Sequence, residues 1–353
     1  TIDAVTSIDI TTGANVDLAN AVTAGTSIGI DAGGTVDAAA ILDGGTSVSV
    51  AGDDDVNLVQ VLASAGDASI AGLNVTLAGA VDANGGNEIL VVADNNIVNS
   101  APLGGGNDTD TITLRANTGW INSSNTITAA TAASLWAGND ITTTATVDAA
   151  AVTVNAGNDA ALATILAGAG GADIDAGAAL ILNGDVDANT GAVTIDAGGL
   201  ITQDGAIGSD NNTASVAIVS AEGSLDSNNT IDAVTSIDIT TGANVDLANA
   251  VTAGTSIGID AGGTVDAAAI LSGGTSVSVA GDDDVNLVQV LASAGDASIA
   301  GLNVTLAGAV DANGGNDILV VADNNIVNSA PLGGGNDTDT ITLRANTGWI
   351  NSS

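Results

Sequence analysis

Ser7-Ile8-Asp9-Ile10, Ser27-Ile28-Gly29-Ile30 and Ser47-Val48-Ser49-Val50 are one phrase written three times, returning at every twentieth position. Each alternates a polar with an apolar residue, the period-2 pattern of a strand with one buried face. The rest of each unit keeps the same register. Val16, Val36 and Val56 are 20 apart, as are Leu18, Ala38 and Leu58, and Val22, Leu42 and Leu62. Val75, Leu77 and Val81 continue the series at a spacing of 19. Gly13 and Gly33 fall between the alternating runs, where a chain turning a corner is expected to need positive φ.

Such a unit, made of short strands and Gly/Asn/Asp corners, cannot bury its own apolar face. Stacking the units buries it, like residue above like. The expected fold is all-β, a parallel β-helix (β-solenoid) of about 20 residues per coil. On that count the chain holds roughly 17 coils and spans roughly 80 Å at about 4.8 Å per coil. Helix is disfavoured by 47 glycines, abundant β-branched residues and the absence of a helical period. An antiparallel sandwich would not hold apolar positions in register at 20, 40 and 60.

The repeat also exists at long range. Residues 1–124 return as 230–353 with two differences, Asp43 to Ser272 and Glu88 to Asp317. Residues 125–229 are a diverged, shorter copy. Gly119–Ile127 resembles Gly223–Ile231 at an offset of 104, so the long period of 229 splits into 125 and 104. The difference between those two is about one coil, and a solenoid tolerates gain or loss of whole coils. The three segments are expected to form one continuous solenoid over 1–353. Both ends of the sequence are mid-repeat, so the chain is expected to be a window on a longer polymer, by covalent continuation or by end-to-end stacking.

Composition bounds function. Phe, Tyr, Met, Cys, His and Lys are absent, and the net charge is −39 with only Arg115 and Arg344 positive. Nucleic acid and anionic membrane surfaces need Lys and Arg, so neither is an expected partner. No apolar run approaches the roughly 18 residues of a membrane span. Acidity of this order keeps a long rod soluble and self-repelling, and salt screens that repulsion. A chain that spends itself on near-identical copies reads as length or repeated display: a structural extracellular fibre or adhesin stalk. Its expected partners are itself and host or matrix glycans. A calcium-dependent matrix or S-layer module is the alternative.

The alternating Ile/Val runs with Gly-Asn-Asp corners, repeating once per coil, resemble the repeat regions of filamentous haemagglutinin-type adhesins. Those are secreted bacterial surface proteins of the two-partner and autotransporter kind. The resemblance covers the whole chain and is one of style and period. It implies a right-handed β-helix, a cell-surface or extracellular location, and adhesion or a stalk.

Sites are sparse. Without His, Cys or Lys the usual bases and activated nucleophiles are missing, so no enzyme is expected and no cofactor is required. Asp53-Asp54-Asp55 falls at a corner, which reads as a solvated loop before it reads as a carboxylate cleft. Gly85-Gly86-Asn87-Glu88 and Gly104-Gly105-Gly106-Asn107-Asp108-Thr109-Asp110 resemble fragments of the calcium-binding nonapeptide repeat. Asp53, Asp54, Asp55, Asp108 and Asp110 are therefore the calcium candidates, against plain Gly/Asn/Asp corners. Asp17, Asp37 and Asn57 are expected on one outward column, where stacked carboxylates repel unless screened or bridged by cations. No Thr-x-Thr recurs at the coil spacing, which argues against ice binding. Trp120, Trp136 and Trp349 read as plugs at irregular coils, or else as contacts for a sugar or a docking partner. Arg115 and Arg344 are placed to neutralise Asp108 and Asp110, or Asp337 and Asp339, with pairing between subunits as the sharper alternative. Asn-x-Ser/Thr triplets at Asn74, Asn107, Asn122, Asn211 and Asn228 are expected by chance in so Asn- and Thr-rich a chain.

Overall fold

The computed structural model describes residues 1–105, 109–209, 212–334 and 338–352. The chain is an all-β parallel β-helix of about 17 turns of roughly 20 residues, with no helix among the described residues. It divides into two compact units, Thr1–Ala176 and Gly177–Ser353.

In each unit every coil contributes to three stacks of parallel strands. In the first unit one stack runs Ile8, Ile28, Val48, Ala68, Ile89, Ile112, Ala133 and Val152. The second runs Val16, Val36, Val56, Val75, Ile97, Ile121 and Ile141. The third begins Ile2, Val22, Leu42, Val61 and Val81. The second unit repeats the scheme from Val193, Leu180 and Val186. Nearly all of these side chains are buried, so the core is a narrow column of Ile, Val, Leu and Ala. Small and β-branched side chains suit such an interior, because each coil packs only on its neighbours about 4.8 Å away.

The coil accounting agrees with the long repeat. Leu225 steps through Val245, Val265, Val285, Val304 and Ile326 to Ile350, six steps over positions 125 apart. Step length varies because corners absorb extra residues. Val75 to Ile97 spans 22 and Ile97 to Ile121 spans 24, against 20 for Val16 to Val36.

Two expectations need correction. The third stack places Val61, not Leu62, beneath Leu42. The strands Val36–Gly44 and Val56–Ala63 shift register between Ala38 and Ile41, because the lower coil turns that corner with one residue fewer. Val61 is fully buried and Leu62 faces outward, half-buried. The corner glycines Gly13 and Gly33 do not have positive φ. What Gly33 supplies is close approach: a Cβ there would lie 2.9 Å from the Gly13 carbonyl oxygen one coil away. Positive φ is instead used where the coil lengthens, at Gly85 (85°), Gly86 (80°) and Gly104 (74°). Thr190, at φ 64°, occupies the place of Gly85 in the diverged copy and is the non-glycine residue in that region among those described.

The core also carries a polar seam. Asn99 and Ser123, both fully buried, continue the column that holds Leu18, Ala38, Leu58 and Leu77 above. The Asn99 amide donates to Ser123 Oγ at 2.9 Å, and Thr143 Oγ1 below accepts from the Ala163 amide at 3.0 Å. In the second unit Gln203 fills the equivalent place. Its Nε2 donates to the carbonyls of Gly205 and Thr230, and its Oε1 accepts from Ser227 Oγ at 2.7 Å. Each of these groups has a partner inside the wide coils, so its burial is compensated.

Candidate functional site

Everything outside the core is presented in columns, because parallel in-register pairing sets like position above like position. Asp17, Asp37 and Asn57 stack as the alternation required. Asn57 Nδ2 donates to Asp37 Oδ1 at 2.7 Å, so the amide ends the run of charge. In the second unit the ladder gains a rung, Asp226, Asp246, Asp266, and again ends on an amide, Asn286, donating to Asp266 Oδ1 at 2.6 Å. Burial, with Asp226 and Asp266 one coil away on either side, raises the Asp246 carboxyl above its ordinary value. Asp232 is also raised, by burial, against the opposing effect of hydrogen bonds from the Thr252 and Thr230 hydroxyls.

The sign follows from the direction of the shift. Between its ordinary and raised values Asp246 holds a proton in the folded chain that the unfolded chain has released. Stability therefore falls as pH rises through that window, and the cost is fully present above it. Asp246→Asn is expected to stabilise the second unit at neutral pH by up to about 1 kcal/mol, the scale of a like-charge cross-strand pair. Solvent and salt reduce it further. Melting in low and high salt checks this: the gain should shrink as salt rises, and a loss of stability would contradict it.

The acidic corner Asp53-Asp54-Asp55 lies between the strands Ser47–Gly52 and Val56–Ala63, exposed. Its backbone stays in the ladder through Asp53 N to Ala32 O and Asp54 N to Gly34 O, and Asp55 Oδ1 accepts from Asn74 Nδ2 at 2.8 Å. Asn74 Oδ1 in turn accepts from the amides of Asn95 and Asn96, so this corner is an amide ladder, and Asn74 is engaged in it. Asp110 is exposed in the strand Thr109–Ala116, on a different part of the coil. Asp108 lies outside the described residues, as do Asn107, Asn211 and Asp337. Among the described residues no group of three or more acidic side chains is placed to hold a metal ion.

A different carboxylate organises the wide coils. Asp82 Oδ1 accepts from the Gly105 amide at 3.0 Å, and Asp311 does the same for Gly334. In the diverged copy Ser209 Oγ donates toward both carboxylate oxygens of Asp187, at 3.1 and 3.0 Å. Asp82 and its two equivalents thus each hold the residue that directly follows Gly104, Gly208 or Gly333. Nothing in the alternation distinguishes Asp82 from other outward aspartates; the signal that could have found it is its place one coil above each Gly-rich insertion.

Trp120 is half-buried, Trp136 is 48 % exposed, and Trp349, 53 % exposed, lies in the last described coil. Trp136 fails as a plug because the alternation of Ala132–Ala137 turns it outward, between the buried Leu135 and Ala137. Arg115 stacks on that same outward column, between Val92 above and Trp136 below. Arg344 occupies the equivalent position next to Val321. Among the described residues neither arginine forms a close ion pair.

One groove is duplicated. A shallow apolar depression of 260 Å³ opens between Ala38, Ala39, Val59 and Ala78. The same depression, also 260 Å³, lies between Ala267, Ala268, Val288 and Ala307. Among the described residues no helix is long and apolar enough to cross a membrane. No protein-family model matches the chain, and no curated protein or solved structure does either.

Proposed function

We propose that this chain is a segment of a structural rod, an extracellular fibre or adhesin stalk, whose repeats provide length and present one surface many times. The observation that carries the reading is the duplication of the outer surface. The Asp37–Asn57 and Asp266–Asn286 rungs, the two 260 Å³ grooves and the two arginine columns recur at equivalent positions. A catalyst needs one site, whereas a scaffold gains reach from each copy. The acidic exterior supports a solvated rod outside the cell, and the sparse set of reactive side-chain types supports a role without turnover or cofactor.

Inserting one further copy of the long repeat tests the reading. Small-angle scattering should show the particle lengthening by roughly 50 Å, eleven coils at about 4.8 Å each. Protease and antibody should reach the chain on intact source cells. Lengthening without surface access would place the rod inside the cell, and no lengthening would remove the rod. Melting with calcium and then with chelator separates the calcium-dependent module: a large rise in melting temperature with calcium favours it.

A further inference from the structure

Each unit carries one of the chain's two arginines on an outward column of its long-strand face, and that column reads as its own complement. In the first unit it runs Asp31, Ala51, Ala71, Val92, Arg115. In the second it runs Asp260, Ala280, Ala300, Val321, Arg344. An acid and a base, both exposed, bracket three small half-buried apolar residues. Four coils separate the charges, roughly 19 Å at about 4.8 Å per coil.

We propose that this face pairs with the same face of a second copy of the chain, the two solenoid segments lying antiparallel. A two-fold axis along the strand direction at the level of Ala71 sets Asp31 opposite Arg115 of the other copy, and Arg115 opposite its Asp31. Ala51 then meets Val92, and Ala71 meets itself. Such an isologous contact satisfies both charges at once. The adjoining column is built to let the faces approach. It carries Gly29, Ser49 and Ser69 at the matching levels. Under the same axis Gly29 faces Thr113 and Ser49 faces Leu90. The next column of the face sets the exposed Asp67 opposite its own copy, a like-charge pair that salt must screen. A parallel arrangement would instead set Asp31 on Asp31 and Arg115 on Arg115.

Charge decides the conditions. The net charge of −39 repels two chains at long range, whereas the paired charges sit in contact. Salt near 0.15 M, with a Debye length of about 8 Å, screens the first more than the second. The inference does not rest on the rod being extracellular; a segment kept inside the cell would pair in the same way.

Sedimentation velocity on the full 353-residue chain tests it at about 0.15 M salt and about 100 µM protein. The chain should associate. Arg115→Asp with Arg344→Asp should weaken association at least tenfold. Asp31→Arg with Asp260→Arg should weaken it equally, although this second variant is less acidic and would associate better if only general repulsion mattered. A 1:1 mixture of the two variants should associate again, because each supplies the charge the other lacks. A monomeric parent chain, an unaffected single variant, or a mixture that stays apart would each overturn the proposal. Should either charge variant fail to fold, Ala71→Glu with Ala300→Glu carries the test: it sets like charges on the axis, and association unchanged from the parent overturns the pairing.

Discussion

Leu42→Ala is expected to cost about 2–5 kcal/mol, the range for deleting a buried leucine side chain that its surroundings cannot refill. Leu42 is fully buried between Val22 above and Val61 below. The coils on either side are tied by their backbone ladders at a fixed spacing, so they cannot close on the cavity. Because each coil contacts only its neighbours, the damage should be local. Amide hydrogen exchange should speed most for the strands Val22–Ala24, Val36–Gly44 and Val56–Ala63, with the distant coils unchanged. Leu271→Ala, at the equivalent place, should cost about the same; a difference above about 1 kcal/mol would mean that the two copies are not packed alike. Leu62→Ala is the control. Its side chain faces outward, so it should lose less than half as much, whereas an equal loss would contradict the register found between the two strands.

The second large effect is expected at Gly208. Its φ is 73°, and a Cβ there would lie 2.0 Å from the Asp232 carbonyl oxygen. Gly208→Ala therefore meets two independent penalties, a left-handed backbone and a clash with a main-chain atom of the next coil. Each is of order 1–3 kcal/mol. The Gly208 amide donates to Val186 O, and its neighbour Ile207 bridges Val186 and Ile231. Any shift that relieves the clash breaks that column. The variant should unfold the surrounding coils at markedly lower denaturant than the parent. Gly258→Ala provides the contrast: its Cβ would meet only the movable Asp238 carboxylate, at 3.0 Å, and its φ is not positive, so its midpoint should stay close to the parent's. Equal behaviour of the two variants would sink the argument.

The coil was legible in the residues alone because alternation and a constant period are both local statements. Ser-Ile-Asp-Ile written above Ser-Ile-Gly-Ile fixes which side chains turn inward and which stack, and so fixes Ile8 on Ile28 on Val48, and Asp17 on Asp37 on Asn57. What alternation does not encode is how many residues a corner consumes. Val61-Leu62 is an apolar pair, and either residue can continue the step from Leu42. The backbone ladder between Val36–Gly44 and Val56–Ala63 chose Val61. The same freedom hid the polar seam. Asn99, Ser123 and Gln203 look like outward residues in sequence, yet the wide coils give their amides and hydroxyls main-chain partners inside. It also hid the arginine column. Asp31 and Arg115 are joined by no constant step, because the rungs between them fall at Ala51, Ala71 and Val92 and the later coils are the longer ones. Period and alternation, set by side-chain chemistry, determined the solenoid and its inward face. The residues lost or gained at corners, settled only by three-dimensional backbone pairing, decided which outward side chains share a column and so what the surface can bind.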